Sequence, residues 1–359
     1  MIPGHRTPLP GVRFSRLHSM THHLTIDQAT DLATRALTGS GAAVAPAHSV
    51  AKAVVSAHAM GRTNVGFEHL PCYCQALRRG AINGRVEPII RRTKPGLLEA
   101  DAHSGFTHYA FDRALDEFVS MVRELGVALL TIRNTYTCGA LGYFPDRLAQ
   151  HGFAAIAATN AGPAAVAPSG ARRAIFSTNP ISFAFPRPGQ APLLVDQSTS
   201  ACTLVDVHAA RNRGEPIPGD WALDSDGRPT RDPARALQGS FNSFGGRKGS
   251  NIALLVELLA AGLGGGNWSI DAASFAEGTD CPDVGQWFLA MDLQSMAGGD
   301  AGKRIDHYLV RLASLGCHIP GKARQERAAE AARGGISMED ELYESIRACC
   351  KAGANDSPR

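Results

Sequence analysis

The chain has 359 residues, enough for two or three domains and a sizeable core. Hydrophobic residues make up 44% and charged residues 19%, as in ordinary soluble globular proteins. A net charge of +3 is too small for a nucleic-acid surface, and no 18-residue apolar run marks a membrane span.

The first nineteen residues are basic and rich in Pro and Gly, with no apolar h-region. They read as a disordered, dispensable tail, placed at 1–22 with the segment boundary. Met20 precedes a helix that Thr25 or Asp27 caps. Residues 25–60 carry apolar residues at helical spacing and predict two helices, broken near Gly39–Gly41 and Pro46. FEHLPCYCQALRRGAI continues as a helix whose RRG end suits a C-terminus. GLLEADAHSGF is a turn-rich link with possible short strands, and HYAFDRALDEFVSMVRELG an amphipathic helix of about five turns.

Strands and turns then alternate. GVALLTIRN, FAAIAATN, ISFAF, PLLVDQS and VGQWFLAMD predict strands. TYTCGALGYFPDRLAQHG predicts a turn and a helix, and the stretch from His208 to Leu237 reads as a loop. HYLVRLASLG and SMEDELYESIRACC predict C-terminal helices. This is an α/β pattern, too irregular for a doubly wound series.

Eight cysteines show no C-x-x-C pair, and thirteen histidines show no H-E-x-x-H pattern. The expectation is reduced thiols in a cytoplasmic protein and no metal.

Three stretches carry candidate chemistry. GSFNSFGGRKGSNIALLVELL sets glycines and the cations Arg247 and Lys248 before a helix. Unpaired N–H groups there favour an anion. The P-loop pattern does not fit, and a flexible loop with solvated cations is the competing reading. NTYTCGALGYF, with Gly139 and Gly142, is either a pyrophosphate-binding junction or a plain tight turn. STNPISFAFP offers Thr178 and Asn179 as partners for a nicotinamide or ribose, or as turn caps. Asp196 ends an apolar strand, where a carboxylate is costly unless it is paired or functional.

The ordered set HLPCYCQALRRGAIN, ATNAGPAAVAP, STNPISFAFP, LLVDQSTS, DGRPTRDPARAL, GGRKGSNIALLVELLAAGL, VGQWFLAMD and IPGKARQERAAEAARGGI resembles the malate/L-lactate dehydrogenase-type oxidoreductases. These lack a Rossmann fold and include sulfolactate dehydrogenase and the piperideine-2-carboxylate/pyrroline-2-carboxylate reductases. The resemblance runs over about residues 24–347. It implies a mixed or antiparallel sheet in an NAD(P)-binding domain, residues 125–296. Residues 23–124 with 297–359 would form a helical, substrate-binding and dimerisation part. It also implies NADPH or NADH as cofactor, a small-molecule substrate and a homodimer.

The cofactor positions implied are Thr137, Cys138, Gly139, Ala140, Leu141, Asn160, Thr178, Asn179, Asp196, Gln197, Ser198, Lys248, Gln286, Trp287 and Phe288. Arg172 and Arg173 are candidates for a 2′-phosphate, with solvated surface arginines as the other reading.

The chain departs from the family's Ser-His-Gly-x-x-Arg-Leu-Pro-x-Tyr. Asn64 replaces Ser, Val65 the proton-transferring His, and His69 the carboxylate-anchoring Arg. A second family His falls on Thr137, followed by Cys138. Valine cannot move a proton, so the usual route for 2-hydroxy acids is weakened. A protonated imine needs no separate proton donor at the hydride step. The resemblance therefore implies reduction of pyrroline-2-carboxylate or piperideine-2-carboxylate to L-proline or L-pipecolate. Asn64, His69 and Thr137 would be catalytic, His69 as an imidazolium gripping the carboxylate, and Asn64, Tyr136 or Thr137 bonding the ring nitrogen. The alternatives are a 2-hydroxy acid dehydrogenase with His69 as base, and a non-catalytic cofactor-binding relative.

Overall fold

The structure is a computed structural model that describes residues 21–275 and 278–351. Residues 1–20 of the tail expected over 1–22 lie outside the described residues. Thr21 and His22, placed in that tail, instead belong to strand β1 (Thr21–Leu24). Its alternating side chains pair with a strand near the other end of the chain.

Thr25 then starts helix α1 (Ile26–Thr38) by a reciprocal cap with Gln28. Helix α2 (Val44–Ala59) takes Pro46 in its first turn, where the missing N–H costs no helical bond. Two short turns, Thr63–Val65 and Phe67–His69, lead into α3 (Leu70–Arg78). The expected turn-rich link is more regular than that: β2 (Ile89–Lys94) and β3 (Leu97–Gly105) form a hairpin. Helix α4 (Thr107–Leu125) ends where Gly126 adopts φ 79°, a left-handed stop that glycine takes without strain.

Next come β4 (Val127–Thr135), α5 (Tyr143–Gln150), β5 (Phe153–Thr159), the short β6 (Val166–Ala167), β7 (Ile181–Arg187) and β8 (Gln190–Gln197). Helix α6 (Leu204–Arg213), which Thr203 and Asp206 cap reciprocally, runs into the stretch from His208 that was expected to be a loop. Short elements follow: β9 (Ala222–Leu223), β10 (Pro229–Thr230), α7 (Pro233–Ala236) and β11 (Ser240–Asn242). Helix α8 (Arg247–Glu257) widens into a π turn at Leu258–Leu263, and β12 (Val284–Asp292) follows. The chain closes with α9 (Ala301–Ser314), α10 (Lys322–Gly334), β13 (Ile336–Glu339) and α11 (Asp340–Lys351).

The main sheet has seven strands in the order β2-β3-β4-β12-β5-β7-β8. Only β3 and β4 pair in parallel; every other neighbouring pair is antiparallel. This is the mixed, non-Rossmann sheet that the resemblance implied. It draws β2, β3 and α4 to the sheet, although the sequence reading grouped them with the helical part. Phe111, Phe118, Phe144 and Phe288 fill the core on one face of it, beneath α4 and α5. A second core joins α1, α2 and α3 to Ile336, Met338, Ile346 and Cys349 from the far end of the chain. A third lies by the four-stranded sheet β10-β9-β11-β6. Chain turns between these cores carry the candidate site.

Candidate active site

The link from β4 to α5 lies opposite the turns that precede α3. Between them is a cavity of about 200 Å³. Val65 and His69 form one wall, and Thr137, Cys138, Gly139 and Leu141 another. Thr178, Asp196 and Ser198, from the segments flanking β7 and β8, complete the polar side, with Phe275 opposite.

Gly139 has φ 62°, and a β-carbon there would stand 3.2 Å from the Tyr73 hydroxyl. The glycine is needed for both reasons. It lets the backbone of the link pass directly over Tyr73.

Tyr73 and Thr137 are buried neighbours in this wall. Among the described residues, neither hydroxyl has a hydrogen bond of good geometry. Buried hydroxyls without well-formed hydrogen bonds are costly, so Thr137, which lines the cavity, is open to a further partner. Burial pushes the Tyr73 phenol well above its ordinary range and the Cys138 thiol up to about 12, so both stay protonated.

Asp196 is the electrostatic centre. Its Oδ2 accepts the Gly142 amide at 2.9 Å and the Arg62 guanidinium. The Arg324 Nη1 donates to the Asp196 carbonyl at 3.3 Å. Burial, and next the neighbouring Arg324 charge, lower Arg62 to about 10, so it remains cationic at neutral pH. The sequence reading missed Arg62.

His69 behaves differently from expectation. Burial pushes its imidazole down to about 4, so in this cleft it is neutral rather than imidazolium at pH 7. Its ring packs edge-on against Tyr73, centroids 4.6 Å apart. His108 lies behind Tyr73, fully enclosed, and is likewise pushed down to about 4 by burial.

The cavity gathers His69, Thr137, Cys138, Gly139, Leu141, Thr178, Asp196 and Ser198 of the expected positions. Ala140 lines an adjoining crevice with Arg62, Asp196 and Arg324. Other positions are committed elsewhere. Asn64 is exposed, because the turn that sends Val65 inward sends Asn64 out. Gln197 is exposed on the far side of its strand end.

Asn160 is fully buried and ties Asn267 to β12, accepting the Gly285 amide at 3.0 Å. The Asn179 amide donates to the Ala253 carbonyl and Glu257 in α8 at 2.9 and 2.7 Å. Gln286 is enclosed among Thr107, Thr135 and Thr159, and Phe288 in the aromatic core. Strand alternation turns Trp287 to the other face, where its Nε1 is buried without a partner.

Lys248 is exposed on the first turn of α8. That helix start carries no side-chain cap and faces a separate cavity. Ser169, Gly170, Ser243, Gly245, Gly246 and Ser250 are among its lining residues. Uncapped N–H groups and glycine backbone give it the character of an anion cradle. Arg172 and Arg173 are exposed.

Residues 24–347 match the family model described as malate/L-lactate dehydrogenase. The chain belongs to the malate/L-lactate dehydrogenase family. It is 34% identical over 327 residues to delta(1)-pyrroline-2-carboxylate reductase 2 of Burkholderia multivorans, covering 90% of this chain and 96% of the relative. It is 33% identical to a (2R)-3-sulfolactate dehydrogenase (NADP(+)) of Chromohalobacter salexigens, covering 92% and 98%. The crystal structure of delta1-piperideine-2-carboxylate reductase from Pseudomonas syringae superposes with a TM-score of 0.86 at 31% identity, covering 91% of this chain and 99% of that one. The malate/L-lactate dehydrogenase family thus shares this chain's fold over nearly its whole length.

Proposed function

We propose that this chain is an oxidoreductase that reduces a cyclic imino acid, pyrroline-2-carboxylate or piperideine-2-carboxylate, to L-proline or L-pipecolate with a reduced nicotinamide dinucleotide. One observation carries the choice of an imine. Val65 and Thr137, the two positions where the family pattern has histidine, line the same cavity. Neither is an acid or base at neutral pH, and His69 beside them is neutral. A ketone needs a proton on oxygen as hydride arrives at carbon. An iminium carries its proton on nitrogen already, so hydride addition yields the secondary amine without a further proton at that step. The reductases among the relatives support the same substrate class.

The residues present fit a nicotinamide. The Thr137 hydroxyl lining the cavity offers a polar contact, and the glycine link allows close approach. When bound, the reduced ring supplies the hydride. The protein's own part is to hold ring and imine face to face and to exclude water with Val65, Leu141 and Phe275. The uncapped start of α8, with Lys248, is suited to a phosphate of the dinucleotide.

A second reading is supported by the neutrality of His69, which makes it a competent proton acceptor. That reading is a 2-hydroxy acid dehydrogenase, in line with the sulfolactate dehydrogenase relative. The two are separated by following nicotinamide absorbance with pyrroline-2-carboxylate and piperideine-2-carboxylate in one direction, and lactate, malate and sulfolactate in the other. Turnover of the hydroxy acids alone, abolished by His69→Ala, overturns the imine reading.

We also propose a homodimer. Leu254, Leu255, Leu258, Leu263, Trp268 and Ile270 are large apolar residues exposed along and just after α8. So much exposed apolar surface in one region favours association.

A further inference from the structure

We propose that Arg62 receives the carboxylate of the substrate, an assignment that rests on the imino-acid reading and extends it to a specific side chain. Of the residues lining the cavity, Arg62 alone carries a positive charge at neutral pH, since the others are neutral or, in Asp196, acidic. It enters from the turn that follows α2, and a quarter of its side chain, 26%, is exposed. Asp196 holds it in place through one nitrogen. A guanidinium presents five N–H donors in a planar fork, so the pair with Asp196 leaves donors free for a second carboxylate.

The local charge balance points the same way. Two guanidinium groups, Arg62 and Arg324, gather at Asp196, which supplies one carboxylate. Among the described residues, no other carboxylate pairs with either. The cluster therefore keeps one positive charge in surroundings that solvate it poorly, and such a charge is stabilised by an incoming anion. The depression of Arg62 by burial and by Arg324 is what an under-compensated cation shows. Burial disfavours a charge on His69, so it supplies less of the same attraction.

The anion could also be a phosphate of the dinucleotide, and the test separates the two sources. Pyrrole-2-carboxylate, its uncharged carboxamide and oxamate are each titrated by calorimetry into full-length protein loaded with reduced dinucleotide. Dinucleotide affinity is measured separately. Arg62→Met is expected to weaken pyrrole-2-carboxylate about 100-fold, the scale for losing a partly buried charged contact. Carboxamide and dinucleotide affinities should stay within threefold. Arg62→Lys, which keeps the charge but loses the fork, should fall between and carries the test if Arg62→Met does not fold. Melting curves of both variants are read beside the binding.

Loss of dinucleotide rather than pyrrole-2-carboxylate assigns Arg62 to the phosphate and overturns the proposal. Equal binding of pyrrole-2-carboxylate by wild type and variants also overturns it. If the wild type takes oxamate but not pyrrole-2-carboxylate, the imino-acid reading fails. The Arg62 assignment then stands only if oxamate binding falls in the variants. Binding of neither carboxylate by the wild type overturns both.

Discussion

The Gly142 amide donates to Asp196 Oδ2 across 2.9 Å, and a β-carbon on Gly142 would lie 2.9 Å from Asp196 Cβ. The glycine has an ordinary helical φ of −60°, so alanine there is strained by contact and not by backbone conformation. Gly142→Ala should displace Asp196 and, with it, Arg62. The expected outcome is at least a tenfold loss of kcat/KM with a melting temperature lowered by only a few degrees, for a cost of about 1–3 kcal/mol. Steady-state kinetics beside a thermal melt check it. Undiminished kcat/KM would show that the Asp196 position is not critical.

Thr137 has a buried hydroxyl that neighbours the Tyr73 hydroxyl and makes no hydrogen bond of good geometry among the described residues. Thr137→Val keeps the shape and removes that hydroxyl. Stability should hold or rise, because an unsatisfied buried group is gone. If the hydroxyl bonds the bound ring, kcat/KM should fall by roughly tenfold, the scale of one hydrogen bond of about 1.4 kcal/mol. Equal kinetics in the two proteins would remove Thr137 from the site.

The buried histidines make the fold sensitive to acid. His69 and His108 are held at about 4, and His58 is also lowered, in each case by burial first. An unfolded histidine titrates near 6.5. Below that pH the unfolded chain takes up protons that the folded chain refuses. The resulting penalty is absent above about pH 6.5 and grows as pH falls toward 4. The lowered carboxylate Asp112, hydrogen-bonded to Ser49 and paired with Arg147, acts in the same direction at lower pH. Urea midpoints should drop over that window, and His69→Gln should reduce the slope by up to one proton. An unchanged slope would mean that His69 already titrates normally in the fold.

Leu255 and Leu258 are nearly half exposed on α8 and the π turn after it. Leu255→Glu combined with Leu258→Glu should leave the monomer folded and convert the dimer to monomer in sedimentation equilibrium. A wild-type protein that sediments as a monomer at micromolar concentration would refute the homodimer.

Much of the architecture could be read from residue order. The 3.6-residue stripe of α4, the apolar runs of β5 and β12 and the Thr25 cap are local signals, and local rules describe them. Helix α6 was legible too, since Thr203 and Asp206 form a capping box, but its surroundings of Gly and Pro suggested a loop. Helix α10 is rich in Ala, Arg and Glu and buries only Ala331, so it offers no apolar stripe to detect.

The site was harder. Asn160, Asn179 and Gln286 have the right chemistry for a ligand, yet the fold turns their amides inward to hold backbone and helix. Residue type alone cannot separate those uses. Arg62 carries no motif, and its partner Asp196 lies 134 positions away, so only the folded chain brings the pair together.

The pairing of β1 with β13 sets Thr21 opposite Glu339 and Leu24 opposite Ile336. During synthesis, α1 and α2 leave the ribosome some three hundred residues before the segment that covers them. Their shared core with Ile336, Met338 and Ile346 can close only once that later segment has been synthesised. Until then, part of the apolar face of α1 and α2 stays uncovered on the nascent polypeptide.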